Sequence, residues 1–123
     1  MLRRNGAMLS RSLRQAGQTS AAAERDTQSM SEPGALTAAL NWYRAMPLSN
    51  PRAINQKVSV PTLYVWSDQD IALMPKAAHN TARYVTGEYR FEILPGVSHW
   101  IPDEQPDKLA DLLLDWFGAH PLH

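Results

Sequence analysis

Apolar positions recur with two different periods along this chain, and the change from one to the other marks out its elements. Near the end, Leu109, Leu112, Leu113, Trp116 and Phe117 stand at i, i+3, i+4, i+7 and i+8. That is one face of an amphipathic helix, begun near Pro106 and stopped by Gly118. Thr62 to Trp66 (TLYVW) and Tyr89 to Leu94 are short runs of β-formers, closed by Ser67-Asp68 and by Pro95-Gly96. The first is apolar on both faces apart from Thr62, as in a strand covered by helices within a parallel sheet. Between the two strands, Pro75 opens a helix expected to run to roughly Tyr84.

The first half of the chain reads as helical throughout. Met8, Leu9, Leu13 and Ala16 recur near helical spacing among Arg3, Arg4, Arg11 and Arg14. A basic amphipathic helix is the reading adopted, and an acid-free, arginine-bearing transit peptide is its alternative. Residues 17–33 are small and polar, a weak helix flanked by loop. Ser31 is expected to cap a further helix with Pro33 in its first turn. Its apolar face would be Ala35, Leu36, Ala39, Leu40 and Tyr43, with Met46-Pro47 ending it and Ser49-Asn50-Pro51 in a loop.

From residue 60 the order is strand, loop, helix, strand, loop, helix, which predicts an α/β fold with parallel strands and right-handed crossovers. Two strands are too few for such a sheet, and nothing before residue 60 reads as a third. The expectation is therefore the end of a larger α/β domain.

Composition narrows the chemistry. The 123 residues contain no cysteine, which removes disulfides, thiolate metal sites and a cysteine nucleophile. Twelve basic and twelve acidic side chains balance to zero net charge, which argues against a nucleic-acid partner. No apolar run approaches the ~18 residues of a membrane span. No cofactor or metal is implied, and the loosely spaced His120 and His123 read as a frayed tail.

In open α/β sheets, functional groups gather at the carboxyl ends of the strands. The first strand here ends in Ser67-Asp68-Gln69-Asp70, the second in Pro95-Gly96-Val97-Ser98-His99. An acid after one strand and a histidine after the next make the carboxylate–imidazole part of a hydrolytic triad. The carboxylate fixes the tautomer and the imidazole moves the proton. Acid before histidine is also the chain order of the α/β-hydrolases.

The stretches VPTLYVWSDQDIALMP (60–75) and YRFEILPGVSHWIPDEQPDKLADLLLDWF (89–117) resemble the last two strand–loop–helix units of that superfamily. PGALTAALNWYRAM (33–46) is similar to the end of the cap domain in soluble-type epoxide hydrolases. The resemblance implies an α/β fold: the C-terminal portion of an α/β-hydrolase, two parallel strands with flanking helices preceded by cap helices. Residues 1–50 would be partial cap and residues 51–123 core. It makes Asp70 the acid, with Asp68 a rival by proximity, His99 the water-activating base and Tyr43 the lid donor to the oxirane oxygen.

The implied reaction has two steps, opening of a small apolar epoxide by a carboxylate nucleophile and hydrolysis of the resulting ester by water that the His–Asp pair activates. The sequence holds neither a Gly-x-Ser-x-Gly nor a Gly-x-Asp-x-Gly elbow. Gly96-Val97-Ser98 lacks the closing glycine, so Ser98 reads as a small loop residue. The isolated chain is therefore expected to be inactive. Alternatives are an esterase or haloalkane dehalogenase relative, or a non-catalytic assembly module whose first strand offers a free edge. Expected partners are an N-terminal half or a second copy, and the expected location is the cytoplasm.

Overall fold

The computed structural model describes residues 2–50 and 56–121. The chain divides into two compact units, residues 1–55 and 56–123, and each is taken by itself.

The first unit is helical. α1 (Leu2–Gln15) and α2 (Ser20–Met30) pack on each other, with Ala22 and Ala23 of α2 buried. Between them, the Gln18 N–H donates to the Leu13 carbonyl (3.1 Å) around Gly17 at φ 104°. This six-residue closure satisfies carbonyls at the end of α1. Thr19 caps α2 by accepting from the Ala22 N–H (3.2 Å). α3 (Ala35–Ala45) follows and runs into a short 3₁₀ turn, Met46–Leu48.

Ser31 does not cap α3 as the sequence led us to expect; it closes α2 instead. Its hydroxyl donates to the Thr27 carbonyl (2.8 Å) and its N–H to that of Gln28 (3.0 Å). Back-bonding to the previous turn outcompetes forward capping here. Gly34, at φ 84°, then redirects the chain into α3. The expected apolar face of α3 is largely uncovered, with Ala39, Leu40 and Tyr43 all exposed, as is Trp42 beside it.

The second unit is a parallel βαβα arrangement. β1 (Thr62–Ser67) pairs with β2 (Tyr89–Leu94) in a register running from Thr62↔Tyr89 to Ser67↔Leu94. The crossover carries α4 (Pro75–Asn80) and a 3₁₀ turn, Thr81–Tyr84. The expected single helix thus tightens after Asn80, where the β-branched Thr81 hydroxyl back-bonds to the Ala77 carbonyl (3.3 Å). A further parallel bridge joins Val58 to Val85. It needs Gly87, because a Cβ there would lie 2.4 Å from the Ser59 carbonyl oxygen. After β2 come a one-turn helix the sequence did not announce, α5 (Ile101–Glu104), and α6 (Pro106–Ala119).

The two faces of the strand pair are covered differently. On one, Leu94, Val97 and Leu112 of α6 form the buried cluster, with Leu63, Val65 and Ile101 against it. On the other, Tyr64 stacks on Phe91 at 5.2 Å, and Trp66 and His79 close around the same ring. His120, expected to fray, is instead tied down. It stacks on Trp116 at 4.0 Å and meets the Trp116 carbonyl through Nδ1 (2.9 Å) and Glu88 through Nε2 (3.1 Å). His123 lies outside the described residues.

Candidate active site

The loops leaving the carboxyl ends of β1 and β2 are bonded to each other residue by residue. The Asp68 N–H donates to the Leu94 carbonyl (3.3 Å) and the Gln69 N–H to that of Val97 (3.1 Å). The Gly96 N–H donates back to Asp68 Oδ1 (2.7 Å), and the Ser67 hydroxyl to the Ser98 carbonyl (2.6 Å). Gly96 sits at φ 74° after Pro95, the left-handed position that a tight turn after proline requires. Asp68, the rival acid, is thereby engaged in holding the second loop rather than facing the histidine.

Asp70 is the acid that meets His99. Its Oδ1 accepts the N–H groups of Ala72 (2.7 Å) and Leu73 (2.8 Å), and its Oδ2 lies 2.9 Å from His99 Nδ1. The Trp66 indole closes the same turn by donating to the Leu73 carbonyl (2.9 Å). The Asp70 side chain is 4% exposed. Burial pushes its carboxyl up, but the hydrogen bonds from His99 and from the Leu73 and Ala72 amides outweigh that and hold it below the usual carboxylate range. It therefore stays ionised at neutral pH. An ionised carboxylate can only accept, so His99 Nδ1 carries the hydrogen and Nε2 is the basic nitrogen.

The pair borders an apolar groove of about 270 Å³, walled by Tyr64, Trp66, Leu73, Ile101 and Leu109. Burial raises the Tyr64 phenol, and the nearby Tyr89 and Asp70 raise it further, so it stays neutral. Tyr43 belongs to the first unit, on α3, where it is 68% exposed. Ser98, read from sequence as a small loop residue, holds more: Glu104 receives its N–H (3.2 Å) and its hydroxyl. Neither Ser67 nor Glu104 was singled out in the sequence. Their signal is position alone, one closing the strand before the acid and the other shortly after the histidine. Among the described residues no three His, Asp or Glu side chains converge as metal ligands would.

No family model matches the chain. It is 35% identical over 86 residues to epoxide hydrolase 3 of Xenopus tropicalis, covering 70% of this chain and 23% of that protein. It is 33% identical over 98 residues to the AB hydrolase superfamily protein YfhM of Bacillus subtilis, covering 80% and 34%. Among solved structures it matches Cfl2 of Burkholderia cenocepacia at a TM-score of 0.77 and 27% identity, over 93% of this chain and 41% of that one. It also matches an α/β hydrolase from a lagoon-sediment metagenome at 0.60 and 19%, over 80% and 45%, which bears on the fold alone.

The strand pair, its loops and its helices are thus a part of the α/β-hydrolase fold, and the chain is similar in sequence to hydrolases of that fold. Within it the chain is epoxide-hydrolase-like. It spans less than a quarter of the length of the Xenopus relative.

Proposed function

We propose that this chain supplies the water-activating part of an epoxide hydrolase site. The observation that carries the reading is the 2.9 Å contact between Asp70 Oδ2 and His99 Nδ1 beside an apolar groove. His99 takes a proton from water through Nε2, and Asp70 holds the tautomer and stabilises the imidazolium that forms. The water attacks an ester left when a carboxylate nucleophile has opened a small apolar epoxide. Tyr43 donates to the oxirane oxygen in the first step, and the helical unit that carries it is part of the cap. No helix among the described residues is long and apolar enough to cross a membrane.

The 123 residues hold no nucleophile elbow, so the chain alone is expected to leave an epoxide unhydrated. The test is a chimera in which residues 33–117 replace the matching region of an epoxide hydrolase that keeps its own elbow. It should hydrate an epoxide. His99→Ala and Asp70→Asn should each lower the rate by about a hundredfold or more, with the His99→Ala chimera accumulating the covalent ester seen by mass spectrometry. Unchanged turnover in the His99→Ala chimera sinks the reading.

A second reading draws on β1, whose other edge pairs with no strand among the described residues. A strand from an N-terminal half or a second copy would satisfy that edge. Size-exclusion chromatography should then show association, and a stable monomer at all concentrations excludes it.

A further inference from the structure

His99 lies in a loop between β2 and α5, not on a regular element, yet a proton-transfer pair needs its ring held to within about half an ångström. The contacts that fix this loop converge on the residue before it. All three polar groups of Ser98 are engaged. Its carbonyl accepts from the Ser67 hydroxyl at 2.6 Å, its N–H donates to Glu104 Oε2 at 3.2 Å, and its hydroxyl donates to Glu104 Oε1. The Trp100 N–H then donates to the Ser98 hydroxyl oxygen at 3.3 Å, so the peptide units on both sides of His99 are tied.

We propose that Ser67 and Glu104 are positioning residues for His99, acting through the Ser98 peptide rather than by touching the reacting atoms. The proposal rests on the reading of Asp70 and His99 as the working pair. Ser67 is fully buried, so water cannot stand in for its hydroxyl. It is also the last residue of β1, three before Asp70. A single hydroxyl therefore references the histidine loop to the strand that carries the acid. Glu104 closes the other side, bringing α5 back onto the N–H and hydroxyl of the same residue as a two-oxygen clamp. Rotation of the 98–99 peptide would swing the imidazole off Asp70 Oδ2; the Ser67 hydroxyl opposes it at the Ser98 carbonyl, and Glu104 fixes the Ser98 N–H and the hydroxyl that receives the Trp100 N–H.

The test uses the whole 123-residue chain, with ¹⁵N-labelled histidine and long-range proton–nitrogen correlation of the His99 ring. In the wild type the ring should be the Nδ1–H tautomer, with a low-field Nδ1 proton. Ser67→Ala and Glu104→Ala should each lower the preference for that tautomer by about fivefold, the weight of one ordinary hydrogen bond, and broaden or lose the proton signal. Glu104→Gln keeps one acceptor and one polar partner for Ser98, and should recover most of the wild-type signature. If Glu104→Ala fails to fold, Ser67→Ala and Glu104→Gln still decide. Asp115→Ala, which loosens an exposed ion pair to Arg90, should leave the His99 signals as they are.

Asp70→Asn separates the two claims. If it abolishes the Nδ1 proton while Ser67→Ala and Glu104→Ala leave the ring unchanged, the positioning role is overturned and the pair stands. If Asp70→Asn leaves the signal untouched, the pair itself falls, and the positioning role with it.

Discussion

Replacing Asp70 tests the site through stability, without any assumption about substrate. The carboxylate makes three contacts, two from backbone amides at 2.7 and 2.8 Å and one with His99 at 2.9 Å. Each hydrogen bond to a charged acceptor is worth about 1.5–3 kcal/mol, against a burial cost of several kcal/mol for a carboxylate this enclosed. Ala72 and Leu73 are exposed enough for water to reach their amides once the carboxylate is gone. The balance for Asp70→Ala is a loss of about 2 kcal/mol. Asp70→Asn keeps a neutral acceptor for the two amides and should lose about 1 kcal/mol or less. Urea unfolding followed by tryptophan fluorescence reads both.

The pH dependence of that loss has a fixed sign. Because the folded-state pKa of Asp70 lies below its unfolded value, its contribution is full above about pH 4 and disappears as pH falls through the lowered value. The gap between wild type and Asp70→Asn should therefore close in acid. A gap that widens below about pH 4, or Asp70→Ala as stable as wild type at neutral pH, would refute the reasoning.

Two further outcomes follow from contacts elsewhere in the second unit. The hydrogen bond to Glu88, and after it that to the Trp116 carbonyl, raise the pKa of His120; both ring nitrogens face acceptors, as suits an imidazolium. Its contribution is full below about pH 6.5 and lost as pH rises through the raised value, so the melting-temperature gap to His120→Gln should narrow in alkali. Gly87→Ala would place a Cβ 2.4 and 2.8 Å from the Ser59 and Val60 carbonyl oxygens, which are backbone and cannot swing away. It should cost about 1–3 kcal/mol by the same urea assay, and a neutral result would mean that this strand approach is not needed.

How much of this was legible in the sequence depends on the range of the interaction. β1, β2 and α6 could be read because their apolar periods record which faces are buried, and the acid and histidine because strand ends in a parallel sheet lie side by side. Ser31 misled because a serine can bond backward as well as forward, and because the left-handed turn at Gly34 starts α3 at Ala35, beyond both Ser31 and Pro33. α5 was too short to show a period. The ties from Ser67 and Glu104 to Ser98 left no pattern at all, since a side chain bonding a distant backbone group obeys no sequence spacing. His120 was read as part of a fraying tail because its bond to Glu88 depends on where β2 begins, and the local contact with Trp116, four residues earlier, shows only once the helix is known to run that far.

The cross-bonded loops have a kinetic consequence. Asp70 and His99 are 29 residues apart, and Ser67 and Ser98 are 31 apart, with no contact between them until the crossover has closed. Closing a loop of that length costs about 3 kcal/mol of chain entropy before any strand hydrogen bond forms. The carboxylate and imidazole therefore meet late in folding, as a product of parallel strand pairing and not as its seed. Substitutions among these loop ties should leave the folding rate nearly unchanged and speed unfolding instead.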